Sequence, residues 1–101
     1  MATWGNTGIR TEVVEAIRDL AVLHGQERVV LFGSRARGDH RERSDIDLAC
    51  SGGDYVRFAL DVDEQTPTLL EFDVVNLDAP VQDELRDAIA REGAVLYEKA
   101  R

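Results

Sequence analysis

Asp45 and Asp47 stand two residues apart at the head of a segment, Asp45 to Ser51 (DIDLACS), that alternates polar and apolar residues. In a strand such a pair shares one face, with Ile46 and Leu48 on the other, and the strand rise sets the two aspartates roughly 6.6 Å apart. At an effective dielectric of ~20, two carboxylates at that separation repel by about 2.5 kcal/mol. A fold gains nothing by gathering acids in this way unless a cation offsets them. Magnesium suits the pair, because it takes oxygen ligands and binds through one or two carboxylates together with substrate phosphates. Asp73 interrupts an otherwise apolar run, Glu71-Phe72-Asp73-Val74. It supplies a third carboxylate if its strand lies beside the first. Glu71 shares its face and is the alternative, and a solvent-facing strand end is the plainer reading of Asp73.

A second group precedes the aspartates. Arg28 to Phe32 (RVVLF) is followed at once by Gly33-Ser34 and then by Arg35 and Arg37. Gly33 lets the backbone approach a ligand closely and take dihedrals closed to other residues. Ser34 offers a hydroxyl and the amides of a helix start, a cradle for phosphate. Arg35 and Arg37 stand near enough to add charge-assisted hydrogen bonds. A Gly-Ser turn after a strand carries little by itself; its place before the acidic pair gives it weight.

The elements that must position these groups follow from periodicity and punctuation. Val13, Ile17, Leu20 and Leu23 recur at helical spacing between Thr11 and His24, with Gly25 as the stop. Arg28 to Phe32 is short, β-branched and aromatic, a buried strand. Ser34 is placed to cap a short helix through Arg37, and the wholly polar stretch Asp39 to Ser44 is a loop. Gly52-Gly53 turns the chain after the acidic strand, and Asp54 caps a helix that runs to about Gln65 and closes before Pro67. Leu69 to Leu77 (LLEFDVVNL) predicts a third strand. Pro80 suits the first position of a helix bearing Val81, Leu85, Ala88 and Ile89, ended by Gly93. Ala94 to Tyr97 predicts a last short strand, and residues 1–8 a flexible arm. The expected architecture is α/β (α+β), a small mixed sheet flanked by helices in a single domain spanning residues 1–101, with an open metal cleft beside the second and third strands.

Composition narrows the function. The net charge is −8, unevenly spread: four arginines lie between Arg35 and Arg43, whereas twelve acidic residues lie between Asp54 and Glu98. Such a surface is repelled by a nucleic-acid backbone, so a long nucleic acid is not the expected substrate. The basic stretch is sized for one small polyphosphate. No apolar run approaches a membrane span, and one cysteine, Cys50, leaves neither a disulfide nor a thiol cluster for zinc. A cytoplasmic setting is expected.

Phe32-Gly33-Ser34-Arg35-Ala36-Arg37-Gly38, followed by Ser44-Asp45-Ile46-Asp47-Leu48, resembles the paired signature of the minimal nucleotidyltransferases of the DNA polymerase beta superfamily, Gly-Ser-x-Ala-x-Gly and Ser-Asp-x-Asp. The spacing is that family's, and the order of elements agrees along the chain. The resemblance implies the nucleotidyltransferase fold and transfer of a nucleoside monophosphate, with ATP as donor. Gly33 and Ser34 would hold the β- and γ-phosphates, with Arg35 and Arg37 beside them. Asp45, Asp47 and Asp73 would hold two Mg2+ ions, and Asp73 would orient or deprotonate the attacking hydroxyl. The resemblance also implies a partner, an all-helical chain of the HEPN type that receives AMP on a tyrosine within a toxin–antitoxin pair. Two other outcomes stay open: a binding module that neutralises such a partner without transfer, and a transferase acting on a small molecule held with a helical partner chain.

Overall fold

The computed structural model describes residues 2–100. Eight elements follow in order: α1 (Thr11–Leu23), β1 (Arg28–Phe32), α2 (Ser34–Arg37), β2 (Ile46–Ser51), α3 (Tyr55–Gln65), β3 (Phe72–Asn76), α4 (Asp83–Glu92) and β4 (Ala94–Glu98). The four strands form one mixed sheet in the order β3-β2-β1-β4. β1 runs antiparallel to both β2 and β4, and β3 runs parallel to β2. The connection from β2 to a parallel β3 needs a crossover, and α3 supplies it.

The sheet is covered on both faces. On one, α1 and α3 bring Val13, Ile17, Leu20, Phe58 and Val62 against Leu31, Ile46, Leu48 and Cys50. On the other, Ile89 of α4 closes over Val30, Phe32 and Ala49. The alternation along β2 therefore sends Ile46 and Leu48 to the α1–α3 side and Asp47 and Ala49 to the α4 side, as the period of two requires.

Local chemistry explains most of the element ends. α1 stops in a Schellman arrangement: Gly25 takes φ 68°, the Gln26 amide donates to the Ala21 carbonyl at 2.9 Å, and the Gly25 amide to Val22 at 3.2 Å. The Asp54 carboxylate accepts from the Arg57 amide at 3.2 Å and caps α3. α2 departs from expectation in one detail. Gly33, not Ser34, is its N-cap, and Ser34 is the first helical residue.

Three further expectations are corrected. α4 begins at Asp83 rather than at Pro80. The Asp78 amide donates to the Asn76 side chain at 3.0 Å within a turn at residues 77–78, and Gln82, with ψ 141°, precedes the helix. Asp83 and Glu84 then meet the positive helix end. The third strand covers Phe72–Asn76, shorter than Leu69 to Leu77, because residues 69–70 form a bend ahead of the strand that leaves Leu69 wholly exposed. Residues 2–8, expected as part of a flexible arm, close with Ile9 and Arg10 into a turn. The Trp4 amide donates to the Ile9 carbonyl at 2.8 Å and the Thr11 amide to Ala2 at 3.1 Å; Ile9 is buried and Trp4 packs on the core. Met1 lies outside the described residues.

Candidate active site

The carboxylates predicted to act together are brought together by the sheet. Asp47 pairs in register with Phe32 of β1 and with Asp73 of β3. Partners in register on neighbouring strands share a face, so Asp47 and Asp73 stand side by side about one strand spacing, ~4.8 Å, apart in backbone. Asp45 immediately precedes β2, and the Ile46 amide donates to the Glu71 carbonyl at 2.9 Å, which holds Glu71 beside Asp45. Asp47 is half-buried, whereas Asp45, Glu71 and Asp73 are exposed.

The surroundings of Asp47 are hostile to its negative charge. Its carboxyl is pushed above the usual aspartate range first by burial, then by Asp73 and Asp45, with the positive field of Arg37 offsetting part of the rise. An acid held this way has unmet demand for positive charge. Among the described residues no three His, Cys, Asp or Glu side chains converge tightly enough to hold a metal ion alone. A hard divalent ion at Asp47 would take one or two carboxylates and complete its shell with phosphate and water.

Gly33 is required by its conformation and by its neighbour. Its φ of 78° and ψ of −158° lie in a region open to glycine alone. A Cβ on Gly33 would also overlap the Asp47 carboxylate. The turn after β1 thus presses its backbone against the half-buried acid, and Ser34 opens α2 beside it.

The two arginines of the turn part ways. Arg37 is exposed; its Nη1 donates to Glu92 Oε2 at 3.0 Å and its Nε to Asp39 Oδ2 at 3.2 Å, and these acids raise its pKa. It is the arginine whose field reaches Asp47. Arg35, expected beside the phosphates, is 2 % exposed. Its Nη1 donates to the Thr7 carbonyl at 2.9 Å, its Nη2 to Glu42 at 3.0 Å and its Nε to Ser44 at 2.9 Å. Arg35 therefore fastens the N-terminal turn and the loop before Asp45 to α2, and its guanidinium is closed off from a ligand. Burial lowers its pKa, and nearby Asp45 opposes the fall.

No local pattern signals this fastening, because Arg35 and Arg37 flank the same Ala36 in the same short helix. Of the lesser residues, His24 pairs with Asp61 at 2.7 Å between α1 and α3. Cys50 is a core residue whose thiol burial pushes up to about 11. His40 is half-buried, packed by Gly8 rather than free in the loop.

The mixed four-stranded sheet thus sets Asp47 beside Asp73 in register, with Asp45 just ahead of β2 and the Gly33-Ser34 turn against Asp47. The chain belongs to the polymerase beta nucleotidyltransferase family, whose profile ("Polymerase beta, Nucleotidyltransferase") matches residues 15–101. It is a nucleotidyltransferase. It is 37% identical over 81 residues to a candidate protein adenylyltransferase of Methanocaldococcus jannaschii, covering 70% of this chain and 78% of that one. Among solved structures it resembles a candidate minimal nucleotidyltransferase at 31% identity and TM-score 0.64, over 80% of this chain and 86% of the other. The fold also matches a toxin–antitoxin structure with AMP-PNP at TM-score 0.70 and 21% identity, over 85% and 73% of the two chains. No helix among the described residues is long and apolar enough to cross a membrane.

Proposed function

We propose that this chain moves AMP from ATP onto a hydroxyl of a partner protein, a tyrosine of an all-helical HEPN-type chain, and so acts as the antitoxin of a toxin–antitoxin pair in the cytoplasm. The observation that carries the reading is the crowding of Asp47 by Asp73 and Asp45 against the Gly33 backbone, which leaves an acidic centre in need of cations. Its support from relatives is of two kinds: one is a candidate protein adenylyltransferase, and another shares its fold and was solved as a toxin–antitoxin with AMP-PNP.

Each residue then has a task. Asp45, Asp47 and Asp73 would hold two Mg2+ ions, which when bound supply Lewis-acid stabilisation of phosphate charge. The Gly33-Ser34 turn, at the start of α2, receives the β- and γ-phosphates on its amides and hydroxyl. Arg37 adds a positive charge on the same side, where the leaving group gathers negative charge. Asp73 sits on the edge strand, the side from which an acceptor can arrive, and orients its hydroxyl and takes up the proton. The acceptor oxygen bonds to the α-phosphorus, the bond to the β-phosphate oxygen breaks, and pyrophosphate leaves. Arg35 binds no phosphate in this scheme and sets the position of the Asp45 segment.

The test is intact-mass spectrometry of the chain with ATP, Mg2+ and its helical partner. A gain of whole AMP units on the partner, abolished by Asp45→Asn, is the expected result. Co-purification of the two chains with no mass gain would instead mean that binding alone carries the effect.

A further inference from the structure

The edge of the sheet next to Asp73 carries an apolar groove that the nucleotide chemistry does not use. It lies between α3 and β3, has a volume of about 510 Å³, and is lined by Val56, Ala59, Leu60, Phe72 and Val74, with Asp63 and Asp73 at its rim. Val56 and Leu60, one helical turn apart, are 70 % and 54 % exposed although both are large and apolar. Among the described residues, the charges lining the groove are the carboxylates of Asp63 and Asp73. α3 buries its other face through Phe58 and Val62, so the exposed pair lies outside the helix's own packing.

The backbone states what kind of contact can be made there. The Ile46 amide bonds Glu71 and the Leu77 amide bonds Cys50, each at 2.9 Å. In a parallel ladder this turns the polar groups of residues 71, 73, 75 and 77 toward β2 and those of 72, 74 and 76 outward. The Tyr55 hydroxyl donates to the outward Val74 carbonyl at 2.9 Å. The Asn76 carbonyl accepts from Ala79 at 3.3 Å. The edge is therefore blocked at its middle and its end, and cannot take up an added strand along its length. What remains is a surface for side chains.

We infer that the α3–β3 groove is the docking site of the acceptor protein. The occupant is a polypeptide that seats an apolar ridge on Val56 and Leu60, sets basic residues against Asp63, and carries its reactive hydroxyl over the β3 edge to Asp73. The inference rests on the proposed transfer to a protein. It adds where the acceptor binds and what chemistry selects it: an apolar ridge with a cationic flank, contributed by side chains rather than by a paired strand. Continuity argues for this occupant, since a residue of the acidic site, Asp73, forms part of the groove wall. Charge argues for it too, since a rim of carboxylates alone favours a basic partner.

The experiment compares wild type, Val56→Lys/Leu60→Lys, Asp63→Lys, and a control, Val95→Lys, on the opposite edge strand. Val95 is 41 % exposed, so all three apolar positions tolerate a charge. Three quantities are measured: binding to the helical partner chain by analytical ultracentrifugation, AMP transfer to it, and the Mg2+-dependent thermal shift given by AMP-PNP. The double variant is expected to lose partner binding and transfer by about tenfold or more, while its AMP-PNP shift stays that of wild type. Asp63→Lys is expected to weaken binding with a salt dependence smaller than wild type's, and Val95→Lys to change nothing. Undiminished partner binding by the double variant would overturn the inference, as would a wild type that does not bind this partner. If wild type binds the partner without transferring AMP, the proposed reaction fails, and the groove is still judged by whether the double variant abolishes the complex.

Discussion

Replacing Asp47 by asparagine should stabilise the protein in the absence of divalent ions while abolishing its activity. Asp47 and Asp73 are paired in register, so their side chains leave the same face of the sheet about one strand spacing apart, ~5 Å. At an effective dielectric of ~20 two charges at that distance repel by about 3 kcal/mol. Asp73 is exposed, and solvent screening cuts the repulsion to roughly a third to a half, about 1–1.5 kcal/mol. Asparagine keeps the shape and loses the charge; the attraction to Arg37 that goes with it is a lesser effect at an exposed guanidinium. For a domain of this size a net gain of ~1 kcal/mol raises Tm by about 4–8 °C.

The pH dependence fixes the cause. The pKa of Asp47 is raised in the folded chain, so between about pH 3.9, where the unfolded aspartate titrates, and the higher folded value, the native state holds more protons than the unfolded one. Wild-type stability should therefore fall as pH rises through that window, and the fall should be smaller in Asp47→Asn. Thermal melts in a chelator across pH 4 to 8 read both effects. Added Mg2+ with AMP-PNP should reverse the order, stabilising wild type and not the variant. A variant less stable than wild type at neutral pH in chelator, or one with an unchanged pH profile, would refute the reasoning that Asp47 is held under charge strain.

Other substitutions separate fastening from chemistry. Gly33→Ala should cost about 1–3 kcal/mol of stability from its φ of 78°. It should also remove transfer activity, because its Cβ displaces the Asp47 carboxylate; a chevron or urea melt with an activity assay checks both. Arg35→Met should lose about 3 kcal/mol, leaving the Thr7, Glu42 and Ser44 carbonyls without their donor. Limited proteolysis should then cut within residues 39–44 faster than in wild type, and a cleavage rate equal to wild type's would contradict the fastening role. Arg37→Ala should leave Tm within ~2 °C, its ion pairs being exposed, and should raise the KM for ATP about tenfold, the worth of one charge-assisted phosphate contact.

Much of the site is legible in the sequence because its spacing is set by local geometry. The period of two along β2 separates Asp47 from Ile46 and Leu48 whatever surrounds them, and the apolar content of Glu71 to Leu77 marks a strand in which Asp73 is conspicuous. Strand order is a different matter. That β3 pairs with β2 in the register Asp47↔Asp73 depends on the length of the α3 crossover and on packing beneath it, which no local pattern records. Arg35 shows the same boundary: nothing in its neighbours along the chain separates it from Arg37. Its burial comes from Thr7 and the loop before Asp45, distant in sequence or irregular in backbone. The N-terminal turn is not legible in residues 1–8 because they carry no period; the positive φ values of Gly5 and Gly8 that close it are a tertiary feature. α4 starts late because side-chain bonding at Asn76–Asp78 overrides the preference of Pro80 for a first helical turn.

The most direct test of the central claim follows the phosphorus. The chain is incubated with Mg2+ and its helical partner, using ATP labelled at the α-phosphate in one reaction and at the γ-phosphate in another. The account requires label on the partner from the α position only, release of labelled pyrophosphate from the γ position, and loss of both in Asp45→Asn and Asp73→Asn. Label transferred from the γ-phosphate, or α-label that survives either substitution, would contradict it.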